Sequence, residues 1–254
     1  MTTTGEDMRE IQVFEFLDCY KLTDEISCGR IYPLSVLQGY QQGRIFELES
    51  CTLIWHLCGF AFLCGEASQK DCESIFGLME DAGAEGKRLV LFSEKTSVEK
   101  AFMKLGAKAD DRIFFEYARE KNTDIMLPDG FEMRRIDAEN IGKLDGRIKP
   151  SFSWESDESF LAKGVGFCVM HGDTPAAWAF SAAVSDDEID IGVETLERFR
   201  GKGLAAAAAS EMIRFSLAAG KKPVWACHAG NIGSQKVAEK LGFEKVGECR
   251  TIFL

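Results

Sequence analysis

Two patterns of hydrophobic and polar positions alternate along the first half of the chain. Runs rich in aromatic and branched apolar residues predict strands; they cover residues 44–50, 52–65, 87–93 and 111–118. Apolar residues at helical spacing predict helices at 72–83 and 97–106. The same spacing at Ile11, Phe14 and Leu17 predicts a further helix over residues 7–22. These elements indicate an α/β fold.

The same two patterns start again in the second half. Strands are predicted at residues 131–137, 166–173, 176–184, 188–195, 222–230 and 246–254. Helices are predicted at residues 138–148, 203–220 and 232–242. Gly220 suits the position that ends the long central helix. The whole chain therefore predicts two α/β (α+β mixed sheet) halves.

A polar stretch at residues 119–130, with Pro128, Asp129 and Gly130, is the best candidate for a linker. It predicts one domain at residues 1–125 and a second at 126–254. Both halves end with a helix, a Gly-Lys pair, a strand, a helix, Lys-Leu-Gly and a last strand. This order indicates either an ancient duplication or a chance recurrence of the common order of helix, glycine and strand.

Composition narrows the function. Of the 254 residues, 46% are hydrophobic, enough for a large core, and the net charge of −11 argues against a nucleic-acid partner. The acidic surface suits a cationic small-molecule substrate or serves solubility alone. Nine cysteines without a Cys-x-x-Cys pair and three scattered histidines predict no metal site. We expect a cytoplasmic protein without a membrane partner, because no leader or spanning segment is evident.

The segment Arg200–Ala206 (RGKGLAA) carries the clearest chemistry. It follows a predicted strand and opens a predicted helix, whose first backbone N–H groups attract anions. Gly201 and Gly203 allow close approach of a phosphate, and Arg200 and Lys202 add positive charge. The segment therefore predicts a pyrophosphate site.

Two other phosphate motifs fit less well. The Walker A pattern is absent. Gly201, Gly203 and Ala206 satisfy the letters of a dinucleotide fingerprint, but the next strand ends without the required acid, and too few residues follow for a doubly wound sheet. A helix start that merely favours glycine stays an alternative.

Arg200–Ala205 resembles the signature of the GNAT superfamily of acyl-CoA-dependent N-acyltransferases. The strand EIDIGVET before it and NIGSQKVAEKLGF (Asn231–Phe243) after it resemble the matching family segments. The resemblance covers about residues 131–254 in family order, and implies a GNAT-like fold there. On this basis we expect residues 1–125 to be a degenerate copy of the GNAT-like domain without a cofactor site.

The resemblance also implies binding roles. Backbone amides of Gly201, Lys202, Gly203, Leu204, Ala205 and Ala206 would bind the pyrophosphate of coenzyme A, beside Arg200. The backbone of Val193, Glu194 and Thr195 would pair with the pantetheine arm, and one amide would polarise the thioester carbonyl. Asn231 would contact pantetheine with Ser234 beside it, or Asn231 is an ordinary helix cap.

Amine acylation also needs proton transfer. The amine must lose a proton, so a carboxylate on the central strand is a natural base. Glu194 is the first candidate and Glu188 the second; a solvated strand face is the alternative. The tyrosine acid of many relatives is replaced by Ala238, and a carboxylate used by some relatives by Ala226. Trp154, Glu155, Asp157 and Glu158 are a weaker candidate for binding a cationic acceptor, or form a surface turn.

These features predict an acetyl-CoA-dependent N-acetyltransferase acting on a primary amine of a small molecule. The alternative is a non-catalytic acyl-CoA-binding or sensing protein. The last strand, if exposed, could pair between subunits, so a homodimer is possible.

Overall fold

A computed structural model describes residues 8–12, 21, 23–118 and 125–254 of the chain. It divides them into two compact units. Unit 1 contains the residues up to Ile113 together with Gly247–Leu254, and unit 2 contains Phe114–Val246. The division differs from the predicted domains at residues 1–125 and 126–254 in two ways: the boundary falls after Ile113, and Gly247–Leu254 belong to unit 1.

The described residues form twelve strands and six α-helices. The strands are β1 (Arg9–Ile11), β2 (Gly43–Glu47), β3 (Cys51–His56), β4 (Phe60–Gly65), β5 (Val90–Ser93), β6 (Lys108–Tyr117), β7 (Phe131–Arg135), β8 (Gly166–His171), β9 (Thr174–Val184), β10 (Glu188–Thr195), β11 (Lys222–His228) and β12 (Phe243–Phe253). The helices are α1 (Ile31–Leu37), α2 (Gln69–Ala84), α3 (Thr96–Lys104), α4 (Asp157–Lys163), α5 (Leu204–Ala218) and α6 (Ile232–Leu241). Strands β6 and β12 each contain residues of both units.

In unit 1, β1 to β4 pair in sequence as antiparallel neighbours. Strand β4 then pairs parallel with β5, and α2 lies between them in the chain. The other edge of β5 pairs antiparallel with residues 250–252 of β12. All six residues of β3 are buried, so this sheet carries apolar side chains on both faces.

Unit 2 repeats this order. Strands β7 to β10 are antiparallel neighbours, and β10 pairs parallel with β11. The connecting helix α5 packs on β8, β9, β10 and β11. Four consecutive alanines, 206–209, are buried in α5, and their small side chains let the helix lie close to the sheet. Both units therefore share a hairpin, a crossover helix, a parallel strand and a further helix. The order of elements common to both halves of the sequence predicts this arrangement.

Two predicted helices differ from the structure. Residues 9–11 are a strand rather than part of a helix, since Arg9 and Glu10 pair across to Glu47 and Arg44; residues 13–20 of that predicted helix lie outside the described residues. The predicted helix at 138–148 is only a 3-10 turn at Ile141–Lys143. Side chains of Asp137 and Asn140 bind the backbone there, which competes with helix formation.

Two short helices, α1 and α4, have no counterpart in the sequence predictions. Helix α4 begins at a cap in which the Ser156 hydroxyl accepts the amide of Ser159 at 3.2 Å. No helix in the described part of the chain is long and apolar enough to cross a membrane.

Candidate active site

The glycine loop before α5 has the conformation that its sequence predicts. Gly201 and Gly203 have φ angles of +79° and +77°, in the left-handed region that favours glycine. A Cβ atom at either position would meet nothing within 4 Å, so space is open above the loop. Gly203 caps α5 without a side-chain hydrogen bond. The first amides of α5 therefore have no side-chain acceptor at the cap and carry the helix's partial positive charge.

Strands β10 and β11 separate beside this loop. Their register covers Glu188–Asp190 against Lys222–Val224, and no later pair joins them in the described chain. Leu196 N donates to Ala176 O, so even-numbered residues of β10 direct their backbone groups to β9. Val193 and Thr195 therefore direct theirs to the open edge. The backbone of Glu194 faces β9, which corrects the expectation that all three residues offer backbone groups to a ligand.

The open edge and the glycine loop border one cleft of about 780 Å³, within the usual range for small-molecule sites. Every predicted binding residue lines it: Val193, Glu194, Thr195, Arg200, Gly201, Lys202, Gly203, Leu204, Ala205, Ala206, Asn231 and Ser234. Five cationic residues line it as well, namely Arg147, Arg200, Lys202, Lys236 and Lys240. Glu194 is the one carboxylate among the described lining residues, so the cleft is cationic in a chain of net charge −11.

Glu194 also has a structural contact. Its Oε2 accepts the backbone amide of Ile148 at 2.5 Å. Trp178, the cross-strand partner of Glu194, donates its Nε1–H to the carbonyl of the same Ile148 at 2.7 Å. A Cβ on Gly146 would lie 2.6 Å from the Trp178 ring and 2.7 Å from Glu194 Oε2. Residues 146–148 are therefore held closely against this pair, with Arg147 and Ile148 in the cleft wall.

The start of α6 forms the opposite wall. Asn231 caps the helix, and its Oδ1 accepts the Ser234 amide at 3.1 Å. The Ser234 hydroxyl accepts the Trp225 Nε1–H at 3.0 Å. Asn231 is thus a helix cap, and its Nδ2 donates to no group among the described residues. Both side chains keep a donor available to a ligand in the cleft.

Glu188, the second candidate base, is not brought to the cleft. It lies at the start of β10, and six residues separate it from Glu194, which is about 20 Å along a strand. Trp154 is also outside the cleft. It is buried, and its Nε1–H donates to Ser181 O at 2.8 Å. Trp154 packs the fold rather than an acceptor amine.

Ala238, at the position of the family's tyrosine, is fully buried in α6. The eight cysteines that the structure describes are buried thiols. Burial raises the pKa of Cys51 and Cys249 to about 12 and that of Cys168 to about 11, so these thiols stay protonated at neutral pH. Among the described residues, no group of three His, Cys, Asp or Glu side chains could hold a metal ion.

The matching helix start in unit 1 is closed. Ser68 caps α2 and accepts the Asp71 amide, while Asp71 accepts the Ser68 amide at 2.9 Å. Burial opposes the charge on Asp71, but hydrogen bonds from Ser68 and Glu49 lower its pKa overall. A carboxylate therefore occupies the place that an anion takes at a free helix N-terminus.

A family model for GNAT acetyltransferases matches residues 31–252. The chain belongs to the GNAT acetyltransferase family. Membership of this family makes it an N-acetyltransferase. The match extends over both units, including unit 1, in which the sequence contains no cationic glycine loop.

Relatives agree with this assignment. The chain is 31% identical over 236 residues to an uncharacterized N-acetyltransferase, YdfB, of Bacillus subtilis, a match that covers 90% of this chain and 87% of the relative. A GCN5-related N-acetyltransferase-like protein from Streptococcus suis has a TM-score of 0.76 at 23% identity, covering 95% and 99% of the two chains. A tandem GNAT protein from the clavulanic acid biosynthesis pathway has a TM-score of 0.61 at 10% identity, covering 97% and 98%.

The sequence predictions missed part of the cleft. Lys236 and Lys240 stand one helical turn apart on α6, a spacing that places them on one face of the predicted helix. That signal was readable from sequence, because the predicted helix at residues 232–242 contains both lysines. Arg147 and Ile148 gave no such signal, since their segment reads as helix in sequence and reaches the cleft only through Glu194 and Trp178.

Proposed function

We propose that this acyltransferase moves the acetyl group of acetyl-CoA to a primary amine of a small molecule. The observation that carries the proposal is the joining of two features in one cationic cleft. One is the uncapped N-terminus of α5 behind two glycines of positive φ, and the other is the open edge of β10. The first suits a pyrophosphate and the second an extended amide-bearing chain.

Most of the predicted site residues bind acetyl-CoA, and Glu194 takes part in the reaction. Amides of Gly201 to Ala206, with Arg200 and Lys202, bind the pyrophosphate. The backbone groups of Val193 and Thr195 at the open edge bind the pantetheine arm, and one of these amides polarises the thioester carbonyl. Asn231 Nδ2 and the Ser234 hydroxyl bind from the opposite wall. Each role uses a donor or acceptor that no described side chain occupies.

Glu194 is the proposed base or amine-binding group. Its Oε2 holds Ile148, and its Oε1 remains for the acceptor. Transfer requires a neutral amine, so the carboxylate takes the ammonium proton directly or through water before attack on the thioester carbon. The carbonyl carbon gains a bond to nitrogen and loses its bond to sulfur. The nitrogen then releases its second proton, and the departing CoA thiolate takes up a proton from water to leave as the thiol.

Calorimetric titration with acetyl-CoA, followed by CoA release with and without amines, tests the proposal. We expect micromolar binding that Gly203→Trp abolishes, because the indole would fill the open space above the loop. Gly172→Trp is the matched control, since Gly172 also has a positive φ and open space but lies in the β8–β9 turn.

Each result has a distinct meaning. Release of CoA that needs no amine would contradict amine transfer. Binding without any release would favour the acyl-CoA-binding alternative. Equal loss of binding in both glycine variants would contradict the placement of the site.

A further inference from the structure

Arg147 is a cation that the proposed acetyl-CoA site does not use. Of the other four cations of the cleft, Arg200 and Lys202 belong to the glycine loop, and Lys236 and Lys240 belong to α6. Arg147 instead adjoins Ile148 and Glu194, at the part of the cleft where the acceptor must reach the thioester. Its guanidinium has no hydrogen-bond or ion-pair partner among the residues that the structure describes.

The position of Arg147 is fixed by its neighbours. Ile148 is held at both backbone groups, by Glu194 at 2.5 Å and by Trp178 at 2.7 Å. Gly146 packs so closely on the same two side chains that a Cβ would overlap them. A segment anchored on both sides of Arg147 presents its side chain to the cleft from a defined point. Such anchoring fixes the backbone from which the exposed Arg147 side chain reaches the cleft.

Arg147 and Glu194 place opposite charges in one wall without neutralising each other. No ion pair joins them within the described chain, although Ile148 lies next to one and is bonded to the other. An acceptor that carried only an ammonium group would meet Glu194 favourably and Arg147 unfavourably. An acceptor with an ammonium and a carboxylate group would satisfy both, and the planar guanidinium matches a carboxylate with two parallel hydrogen bonds.

We propose that the acceptor is an amino acid or a similar amine bearing a carboxylate, with Arg147 binding the carboxylate and Glu194 the amine. This inference rests on the proposed function. It names the acceptor class, and Arg147 is the residue that selects it.

Matched acceptors test the inference. Phenylalanine, leucine and lysine are compared with the amines that lack their carboxylate (2-phenylethylamine, 3-methylbutylamine and cadaverine) and with the corresponding amino-acid amides. The amides keep the side chain but remove the charge, and their more acidic ammonium groups supply more neutral nucleophile. A preference for the acids over the amides would therefore report recognition of the carboxylate rather than amine reactivity.

We expect wild-type kcat/KM to favour at least one acid over its amide and amine by roughly tenfold or more, and Arg147→Met to remove that preference. Arg147→Lys should restore part of it, and the KM for acetyl-CoA should stay within about twofold in both variants. Lys143→Met is the matched control, because Lys143 is an exposed cation nearby that does not line the cleft.

Two results would overturn the inference while the proposed function stands. One is turnover of the acceptors that lack a carboxylate as fast as the acids. The other is an Arg147→Met variant that raises the KM for acetyl-CoA and leaves the acceptor preference unchanged, which would assign Arg147 to the CoA site. Absence of turnover with every acceptor, while acetyl-CoA binds, would overturn the proposed function and this inference together.

Discussion

The Glu194 carboxylate accepts the backbone amide of Ile148 at 2.5 Å. A side chain chosen from sequence as a base is therefore also the residue that fixes a wall of its own cleft. Substitutions of Glu194 can disturb chemistry, geometry or both, so the two effects must be separated before a role is assigned.

Glu194→Gln and Glu194→Ala separate them. A glutamine oxygen can still accept the Ile148 amide, whereas alanine leaves that amide without its acceptor. We expect both variants to lower kcat by roughly 100-fold if the carboxylate is the base. Only Glu194→Ala should also lower the free energy of unfolding, by about 1–3 kcal/mol. Steady-state kinetics and urea unfolding measure the two effects.

Glu197→Gln is the control for lost charge, since Glu197 is exposed and lies outside the cleft. Unchanged kcat in Glu194→Gln would limit Glu194 to holding Ile148 and would leave the base to another group.

The Trp225–Ser234 hydrogen bond gives a second prediction. Ser234→Ala leaves the buried Trp225 N–H without its acceptor, which should cost about 1–3 kcal/mol of unfolding free energy. In Trp225→Phe the donor is already absent, so adding Ser234→Ala should cost much less. A double-mutant cycle in urea measures the coupling. Costs that simply add would show that the bond contributes nothing to stability.

His56 makes stability depend on pH. It is fully buried, its Nδ1 accepts the Cys58 amide at 3.0 Å, and burial lowers its pKa from 6.5 to about 3. Below about pH 6.5 the unfolded chain therefore carries a proton on His56, whereas the folded chain binds that proton only near pH 3. Stability is full above that pH and falls as the pH drops through the window from 6.5 to 3. Between pH 7 and 5 this histidine should remove about 2 kcal/mol.

The check is urea unfolding at pH 7, 6 and 5, with His56→Asn for comparison. An asparagine oxygen can replace the Nδ1 acceptor without titrating, so the variant should lose about 2 kcal/mol less over the same range. Identical pH profiles for the two proteins would contradict the assignment.

Strand β12 should stabilise unit 1. Ile252 is fully buried in the core of unit 1 and pairs with Leu91 of β5. Ile252→Ala should cost about 2–5 kcal/mol, and amide hydrogen exchange in β3, β4 and β5 should speed up. Val246→Ala on the same strand is the control, because Val246 is 53% exposed and belongs to unit 2. Exchange that stays slow in β5 of the Ile252 variant would contradict this role.

Much of the fold and of the glycine-loop side of the cleft was predictable from sequence. The glycine loop and the Asn231 cap depend on local backbone chemistry, which short motifs record directly. Gly203 is required by a positive φ, and that requirement is visible in the residue itself. The possible homodimer and the cytoplasmic location stay predictions.

The wall formed by residues 146–148 was not predictable, because long-range contacts define it. Residues 138–148 have the apolar spacing of a helix, yet Asp137 and Asn140 bind the backbone and hold an irregular turn. This turn places the Ile148 amide where the carboxylate of Glu194, 46 residues further along the chain, can accept its hydrogen bond. The strand at Arg9–Ile11 was missed for the same reason, since its partner Ile45–Glu47 supplies the pairing.

Residues 247–254 belong to unit 1 although they follow unit 2 in the chain, and this order has a consequence for folding during synthesis. Strand β5 needs those residues to cover its edge, but the whole of unit 2 is translated before they emerge. Until then the nascent chain carries an uncovered strand whose four residues are all buried in the finished protein. An edge of this kind pairs readily with other chains. We therefore expect the nascent chain to be most prone to pair with other chains before residues 247–254 emerge.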